Sequence, residues 1–522
     1  MEDAWFMVVV TICICFLFRS LFNIFSSTAK EGKEGRVSLP PGPRSIPIIT
    51  GFLWMRKSFS QIEPIIRSLH AKYGPVIAIR VGSRVSVFVS DRQLAYKALV
   101  QNGVVFSNRP PAPPASKVIS ANQHNISSAF YGPTWRRFRR NLTSEILHPS
   151  RVKSYSAARK WVLDILIQRL NQEIIKNQSA AAAAAGVKVV DHFQYAMFCL
   201  LVFMCFGDRV ADEQIKQVEK VQRDLLLGIG QFNILNFWPR LGKLVFRKLW
   251  AELYRLRANQ QEVLIPLIRA RKQAKELGKL ASADEYVFSY VDSLLDLELP
   301  EEKRKLSEVE IVSLCSEFLN AGTDTTSTAL QWIMANLVKH QHIQDTLVAE
   351  MKSQIGTLEG EIREEDLHKL PYLKAIILEG LRRHPPGHFV LPHAVSEDTT
   401  LNGHLIPKRG TINFMVADMG WDPDVWEDPM EFKPERFLSN GKEGPEVEFD
   451  VTGSKEIKMM PFGAGRRICP GYQLAMLHLE YFTANLVARF RWVAVDEVSL
   501  EEKQEFTMVM KHPLQARLEL RT

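Results

Sequence analysis

The chain has 522 residues, 46% of them hydrophobic and 24% charged, a balance that excludes a disordered polypeptide and leaves ample apolar material for a large core. Lys and Arg outnumber Asp and Glu by 66 to 58, a net +8 without any long block of like charge, so a nucleic-acid-binding tail is excluded and a local docking face is expected instead. The six cysteines, Cys13, Cys15, Cys199, Cys205, Cys315 and Cys469, form no CxxC pair, and all but Cys469 sit in apolar or helical runs; this excludes a disulfide framework and fits a reducing, cytosol-facing compartment.

Residues 1–25 read as a membrane anchor. Ala4 to Phe18 carries no charge, and if Arg19 snorkels the apolar stretch extends to Phe25, close to the ~20 residues that cross a bilayer. The segment opens on Glu2 and Asp3 and has no A-x-A site, unlike a cleaved signal peptide. Arg19, Lys30, Lys33 and Arg36 all follow it, so the positive-inside rule puts the N-terminus in the lumen and the remainder in the cytosol. Residues 26–45 form a polar linker ending in LPPGPR, Leu39 to Arg44, whose three prolines hold the backbone extended while Gly42 lets it turn; after a membrane span, such a hinge is expected to set the tilt of the domain that follows.

Residues 46–522 read as one large domain. Val76 to Ser90 alternates apolar and polar on either side of Gly82-Ser83, predicting an antiparallel hairpin, and Pro392 to Phe414 is a second strand-like patch. Helical periodicity covers Tyr155 to Asn177, Met197 to Gly207, Val218 to Leu227, Leu306 to His340 and Ala375 to Arg383, giving a mainly α fold with a small β region. Ala180 to Ala185 is a low-complexity surface insertion.

Four groups of residues carry chemistry. In PFGAGRRICPG, Cys469 stands directly before Pro470, the residue type favoured at the first helical position, which predicts a sulfur at a helix N-terminus and a thiol inclined to be an anion. Gly463, Gly465 and Gly471 leave room for a flat partner, and Phe462 can shield the sulfur. A nucleophile wants a base, and only His478 is near in sequence; zinc wants further ligands; an axial haem ligand and a structural loop both remain open on chemistry alone. In AGTDTT, Ala321 to Thr326, clustered Ser and Thr beside a glycine are weak helix formers, at up to ~0.7 kcal/mol each, within a strong helical pattern. Glu379 and Arg382 share a helix face, an arrangement worth only ~0.2 to 0.5 kcal/mol if exposed. WRRFR puts Trp135 and Arg139 on one face of another helix, and Arg136, Arg137, Arg140, Lys455, Lys458 and Arg466 add positive charge.

The run F-x-x-G-x-R-x-C-x-G through Phe462, Gly465, Arg467, Cys469 and Gly471 resembles the haem-binding signature of cytochromes P-450, and from LPPGPR onward the other landmarks follow in that family's order. The context SKEIKMMPFGAGRRICPGYQLAMLHLEYF is similar to plant A-type members, in particular the 89A subfamily. The resemblance implies a P-450 fold and haem b held by Cys469, with Phe462 and Gly465 in the ligand loop. It implies that Trp135, Arg139, Arg467 and His393 meet the propionates, His393 standing where many relatives have Arg. It implies a helix opened beside the haem by Ala321 and Gly322, with dioxygen in the groove and Thr325 and Asp324 relaying protons to it. Glu379, Arg382 and Arg436 of PERF become a buried structural triad.

The activity so implied is a monooxygenase of the endoplasmic reticulum membrane, inserting one atom of O2 into a hydrophobic organic substrate with electrons from NADPH through a flavin-containing reductase docked on the basic face. Segments resembling the family's substrate-facing regions are Ala112 to Tyr131, Leu226 to Trp238, Leu314 to Asp324, Pro385 to Leu391 and Phe506 to Met510; they are mainly apolar, so a bulky hydrophobic molecule is expected. Two other readings of the same residues are a haem-thiolate isomerase or lyase acting on a peroxide, which has no use for Asp324 and Thr325 or a reductase, and a membrane-tethered haem-binding or sensing protein.

Overall fold

A computed structural model describes residues 11, 37–43, 59–81, 84–176, 186–236, 242–277, 287–408, 410–438 and 449–521. All but one residue of the predicted membrane span, most of the linker, the Gly82-Ser83 turn and the alanine run lie outside the described residues. Among the described residues no helix is long and apolar enough to cross a membrane.

The chain gathers into two compact units. One comprises residues 1–110 and 392–414. Its strands Val76–Val81 and Arg84–Val89 pair antiparallel, Val76 opposite Val89, in the hairpin that the period of two predicts. The second strand-like patch divides: Thr399–Leu401 and His404–Ile406 make a small hairpin, and Thr411–Phe414 runs parallel to Arg84–Val89. Val76 to Ile79, Val87 and Val89 are all buried, and the helix Phe59–Tyr73 packs beside the first strand. The described part of the proline stretch, residues 37–43, is tied to this sheet. The Pro41 carbonyl accepts from Ala78 N–H at 2.8 Å. A Cβ on Gly42 would lie 1.9 Å from the Ala78 carbonyl oxygen, so glycine is needed there for close approach.

The other unit comprises residues 111–391 and 415–522 and is mainly helical. Its axis is the 32-residue helix Glu308–Lys339, started by a capping box in which Ser307 and Glu310 satisfy each other's backbone N–H groups. This helix is buried on nearly every side, packed by the helices Val190–Phe206, Pro371–Arg383 and Tyr472–Arg489. Apolar side chains all round, as in Val190–Phe206, are what such a central position demands. The long helix lies close against Val190–Phe206 at Gly322, where an added Cβ would meet Leu201 Cδ1 at 2.5 Å. Ser156–Lys176, Asp212–Gly228 and Arg247–Glu276 surround this centre. Strands Val187–Lys188, Gln515–Leu520 and Phe490–Ala494 form a small sheet, and Glu502–Gln504 pairs with Met508–Met510 in a hairpin. Cys199, Cys205 and Cys315 are buried free thiols, as their apolar surroundings predict.

Candidate functional site

The loop before the helix Tyr472–Arg489 is shaped by its glycines. Gly463 and Gly465 have φ of 70° and 68°, left-handed values that favour glycine. Gly463 N–H donates to Met460 O at 2.9 Å and Cys469 N–H donates to Phe462 O at 2.8 Å, which closes the loop on itself. The half-buried Phe462 ring packs against Tyr472, centroids 6.2 Å apart. Pro470 does not open the helix as expected: Tyr472 is its first residue and Gly471 its cap. The Gly471 N–H nevertheless reaches the Cys469 sulfur and, with the charge of Arg139, pulls the thiol pKa down, while burial acts more strongly and pushes it up. Position at a helix start therefore does not by itself make this thiol an anion; a bound cation at the sulfur would. His478 is no partner base, since burial holds its imidazole near a pKa of about 3 and its ring packs edge-on to Phe482.

Around the sulfur the basic residues assemble as one group. On the helix Pro133–Asn141, Trp135 and Phe138 are buried, Arg139 is half-buried, and Arg136, Arg137 and Arg140 are exposed. The Trp135 ring meets two guanidinium groups, Arg467 at 4.4 Å and Arg139 at 6.0 Å from its centroid. Trp135 Nε1 and Arg467 Nη1 both donate to Ile126 O, at 3.2 and 3.1 Å, and Arg467 Nη2 donates to Ala129 O at 2.7 Å. That backbone is itself held from the long helix, where Glu317 accepts from Ile126 N–H at 2.8 Å and Ser127 N–H at 2.6 Å. Sequence reading missed Glu317, although a carboxylate inside the apolar run VSLCSEFLNAG is a signal, because such a group must find donors. Arg139 differs from Arg467: the described residues supply its N–H groups with no hydrogen-bond acceptor, and burial lowers its pKa against the raising effect of Cys469.

The AGTDTT stretch is helical throughout, inside the unbroken helix Glu308–Lys339, and does not open as expected. Gly322 makes close contact with Leu201. Ala321 is exposed, and Asp324 and Thr325 are half-buried, in a helix otherwise covered. Thr325 Oγ1 donates to Ala321 O at 2.6 Å. Asp324 Oδ1 lies 3.4 Å from Arg223 Nη1, on the helix Asp212–Gly228. Burial raises the Asp324 pKa, Arg223 opposes this, and the charge of Glu505 adds to it. Nothing in the sequence near Arg223 marks it as a partner for Asp324.

Glu379, Arg382 and Arg436 meet in the interior, as the resemblance implies. Arg382 Nε and Nη2 donate to the two Glu379 oxygens at 2.6 and 2.8 Å, with both side chains fully buried. Arg436 Nε adds a third bond at 3.1 Å and Lys433 N–H a fourth at 2.8 Å. Arg382 Nη1 also donates to Gly420 O and Pro429 O, each at 2.7 Å. His393 belongs to the other unit, where it is buried with Nδ1 2.7 Å from Phe106 O.

The family model for cytochrome P450 matches residues 40–520. Cytochrome P450 89A9 of Arabidopsis thaliana is 51% identical over 493 residues, 92% of this chain and 93% of that protein. Cytochrome P450 CYP736A12 of Panax ginseng is 30% identical, covering 87% of each chain, and a flavonoid 3'-monooxygenase of Arabidopsis thaliana is 28% identical over 97% of this chain and 96% of its own. A solved zebra fish cytochrome P450 with progesterone superposes with a TM-score of 0.71 at 21% identity, over 88% of this chain and 99% of that one, a likeness of fold.

Proposed function

The chain belongs to the cytochrome P450 family and is a haem-thiolate monooxygenase, a plant P450 resembling the 89A subfamily, and from that premise we propose that Cys469 is the axial haem ligand of an enzyme anchored in the endoplasmic reticulum membrane and driven by NADPH through a flavin-containing reductase. The substrate we assign is a bulky, largely hydrophobic organic molecule, into which one atom of O2 is inserted.

The residues present fit haem. Cys469 sits in a glycine-shaped loop, and the half-buried cation Arg139 stands beside it with no acceptor among the described residues, an arrangement suited to an iron-bound sulfur and an anionic propionate edge. That pairing is the observation that carries the reading. Trp135 and Arg467 would hold the same edge, Trp135 chiefly as the plate on which the two arginines rest. Phe462 and Gly465 shape the ligand loop.

Haem, when bound, supplies the oxygen-activating chemistry and accepts the reductase's electrons. The protein's part is to deliver protons and exclude water. Asp324, raised by burial, is suited to pick up and release a proton, and Thr325, one position on, to hold one at Oγ1 beside the exposed Ala321. Glu379, Arg382 and Arg436 are structural. In the proposed orientation the N-terminal segment spans the bilayer with its N-terminus in the lumen.

The test is Cys469→Ala. The variant is expected to lose the thiolate-type Soret band in the reduced carbon monoxide difference spectrum, because the other described cysteines are buried in apolar helices. A normal band in that variant would remove the assignment.

A further inference from the structure

The hairpin Glu502–Gln504 and Met508–Met510 carries the exposed Phe506 at its turn, and this turn is held by two separate parts of its unit. Met508 N–H donates to Pro386 O at 2.8 Å, which ties it to the segment after the helix Pro371–Arg383. Thr507 Oγ1 lies 2.9 Å from Thr328 Oγ1, and Met508 O accepts from Trp332 Nε1 at 2.8 Å, which ties it to the long helix. Thr328 and Trp332 are three and seven positions beyond Thr325, so they continue its helix face. The charge of Glu505, in the turn, is felt at Asp324.

The base of the hairpin has its own anchor. Glu502 Oε1 lies 3.1 Å from His384 Nδ1 and Glu502 Oε2 lies 3.4 Å from His388 Nε2, with Arg383 Nη1 at 3.8 Å from Oε1. His384 cannot yield, because its ring is stacked on Trp332 with centroids 4.0 Å apart and planes 2° from parallel. One carboxylate thus joins the base of the hairpin to the same tryptophan that fixes its far strand.

We propose that Glu502 is a positioning residue: it holds the Phe506 turn at a fixed height over the face that carries Thr325 and so sets which bulky ligands the site admits. This rests on the monooxygenase reading of the site. A small ligand at the haem iron would not reach the turn; a bulky one would press against it.

The experiment is spectral titration of the purified holoenzyme with imidazole and with miconazole, a bulky diaryl-substituted imidazole. Glu502→Ala is expected to weaken miconazole by about fivefold while moving imidazole less than about twofold, and Phe506→Ala, an exposed site that spares the fold, is expected to shift miconazole alone. The double variant should show less than the product of the two single effects, since both act through one turn. Equal shifts for both ligands in Glu502→Ala, or no shift for miconazole in Phe506→Ala, would overturn the proposal, the first by reducing Glu502 to general stability. If Glu502→Ala does not accumulate with haem, Glu502→Gln, which keeps its volume, is judged by the same ratio. Absence of a thiolate-type carbon monoxide band in the wild type would be a failure of the underlying haem reading, and it is read before any titration.

Discussion

Arg223 Nη1 and Asp324 Oδ1 approach to 3.4 Å from two helices, 101 residues apart in sequence. The pair decides how easily Asp324 gives up its proton. Burial and Glu505 raise its pKa and Arg223 lowers it, so removing the guanidinium lets the pKa rise further and keeps the carboxyl protonated over a wider range of pH. In Arg223→Gln the acidic limb of the turnover–pH profile is expected to move upward, whereas Arg223→Lys should leave it near its original place. Thr325→Ala should lower product formed per NADPH consumed without moving that limb. An unshifted limb in Arg223→Gln would separate the ion pair from proton delivery.

Glu379 accepts four hydrogen bonds from three residues in the interior. Removing one partner of a buried charged network leaves the other charges uncompensated, at about 3 to 5 kcal/mol, a large share of the ~5 to 15 kcal/mol that holds a typical domain. Glu379→Ala is therefore expected to yield little haem-loaded protein, and Glu379→Gln, which keeps the shape but not the charge, an intermediate amount. The urea midpoint followed at the Soret band measures both. A Glu379→Ala midpoint within error of wild type would show that the network is not what holds this region.

The ligand loop and the Glu379 network were legible in the sequence because each depends on residues fixed at short spacing, the glycines with φ near 70° and the i, i+3 pair. AGTDTT stays helical for a physical reason: its weak propensity is overridden where the helix is packed on most sides and where Thr325 and Ser327 hydroxyls donate back to Ala321 O and Thr323 O at 2.6 and 2.9 Å. The long helix Arg247–Glu276 went unread because Pro266 interrupts a heavily charged pattern. Arg223, Glu317 and Glu502 gain their meaning only from partners brought near by folding.

Glu480, on the helix Tyr472–Arg489, has its carboxyl pushed up to about 7 by burial, against the opposing charge of Lys374. The folded pKa lies above the reference of 4.5, so the fold favours the protonated form. Stability from this group is full below the unfolded value and is lost as pH rises through about 7, by up to about 3 kcal/mol. Glu480→Gln removes the ionisation. It is expected to melt higher than wild type at pH 8 and to match it at pH 4, in scans of the haem-loaded protein. Equal melting points at pH 8 would mean that the carboxylate is better solvated than its burial implies.

The basic face is more ordered than a run of solvated arginines requires. Arg136 lies over the Tyr131 ring at 5.0 Å and Arg466, from the ligand loop, over the same ring at 5.9 Å while its Nη1 donates to the Tyr131 hydroxyl at 2.8 Å. Two arginines from distant parts of the chain are thereby held together beside the Cys469 loop, with Arg137 and Arg140 exposed nearby. Lys458 contributes less, being paired with Glu456 at 3.2 Å. Complementary charge mainly speeds encounter, and the effect fades as salt shortens the Debye length to about 8 Å or less. Reversing Arg136 and Arg140 to Glu, with Arg139 untouched, is expected to slow the first electron transfer from an acidic reductase by about tenfold at low salt, with wild type and variant converging at high salt. Haem content and substrate-binding spectra should not change. Stopped-flow reduction under carbon monoxide across a salt series measures this, and equal rates at low salt would move the reductase to another face.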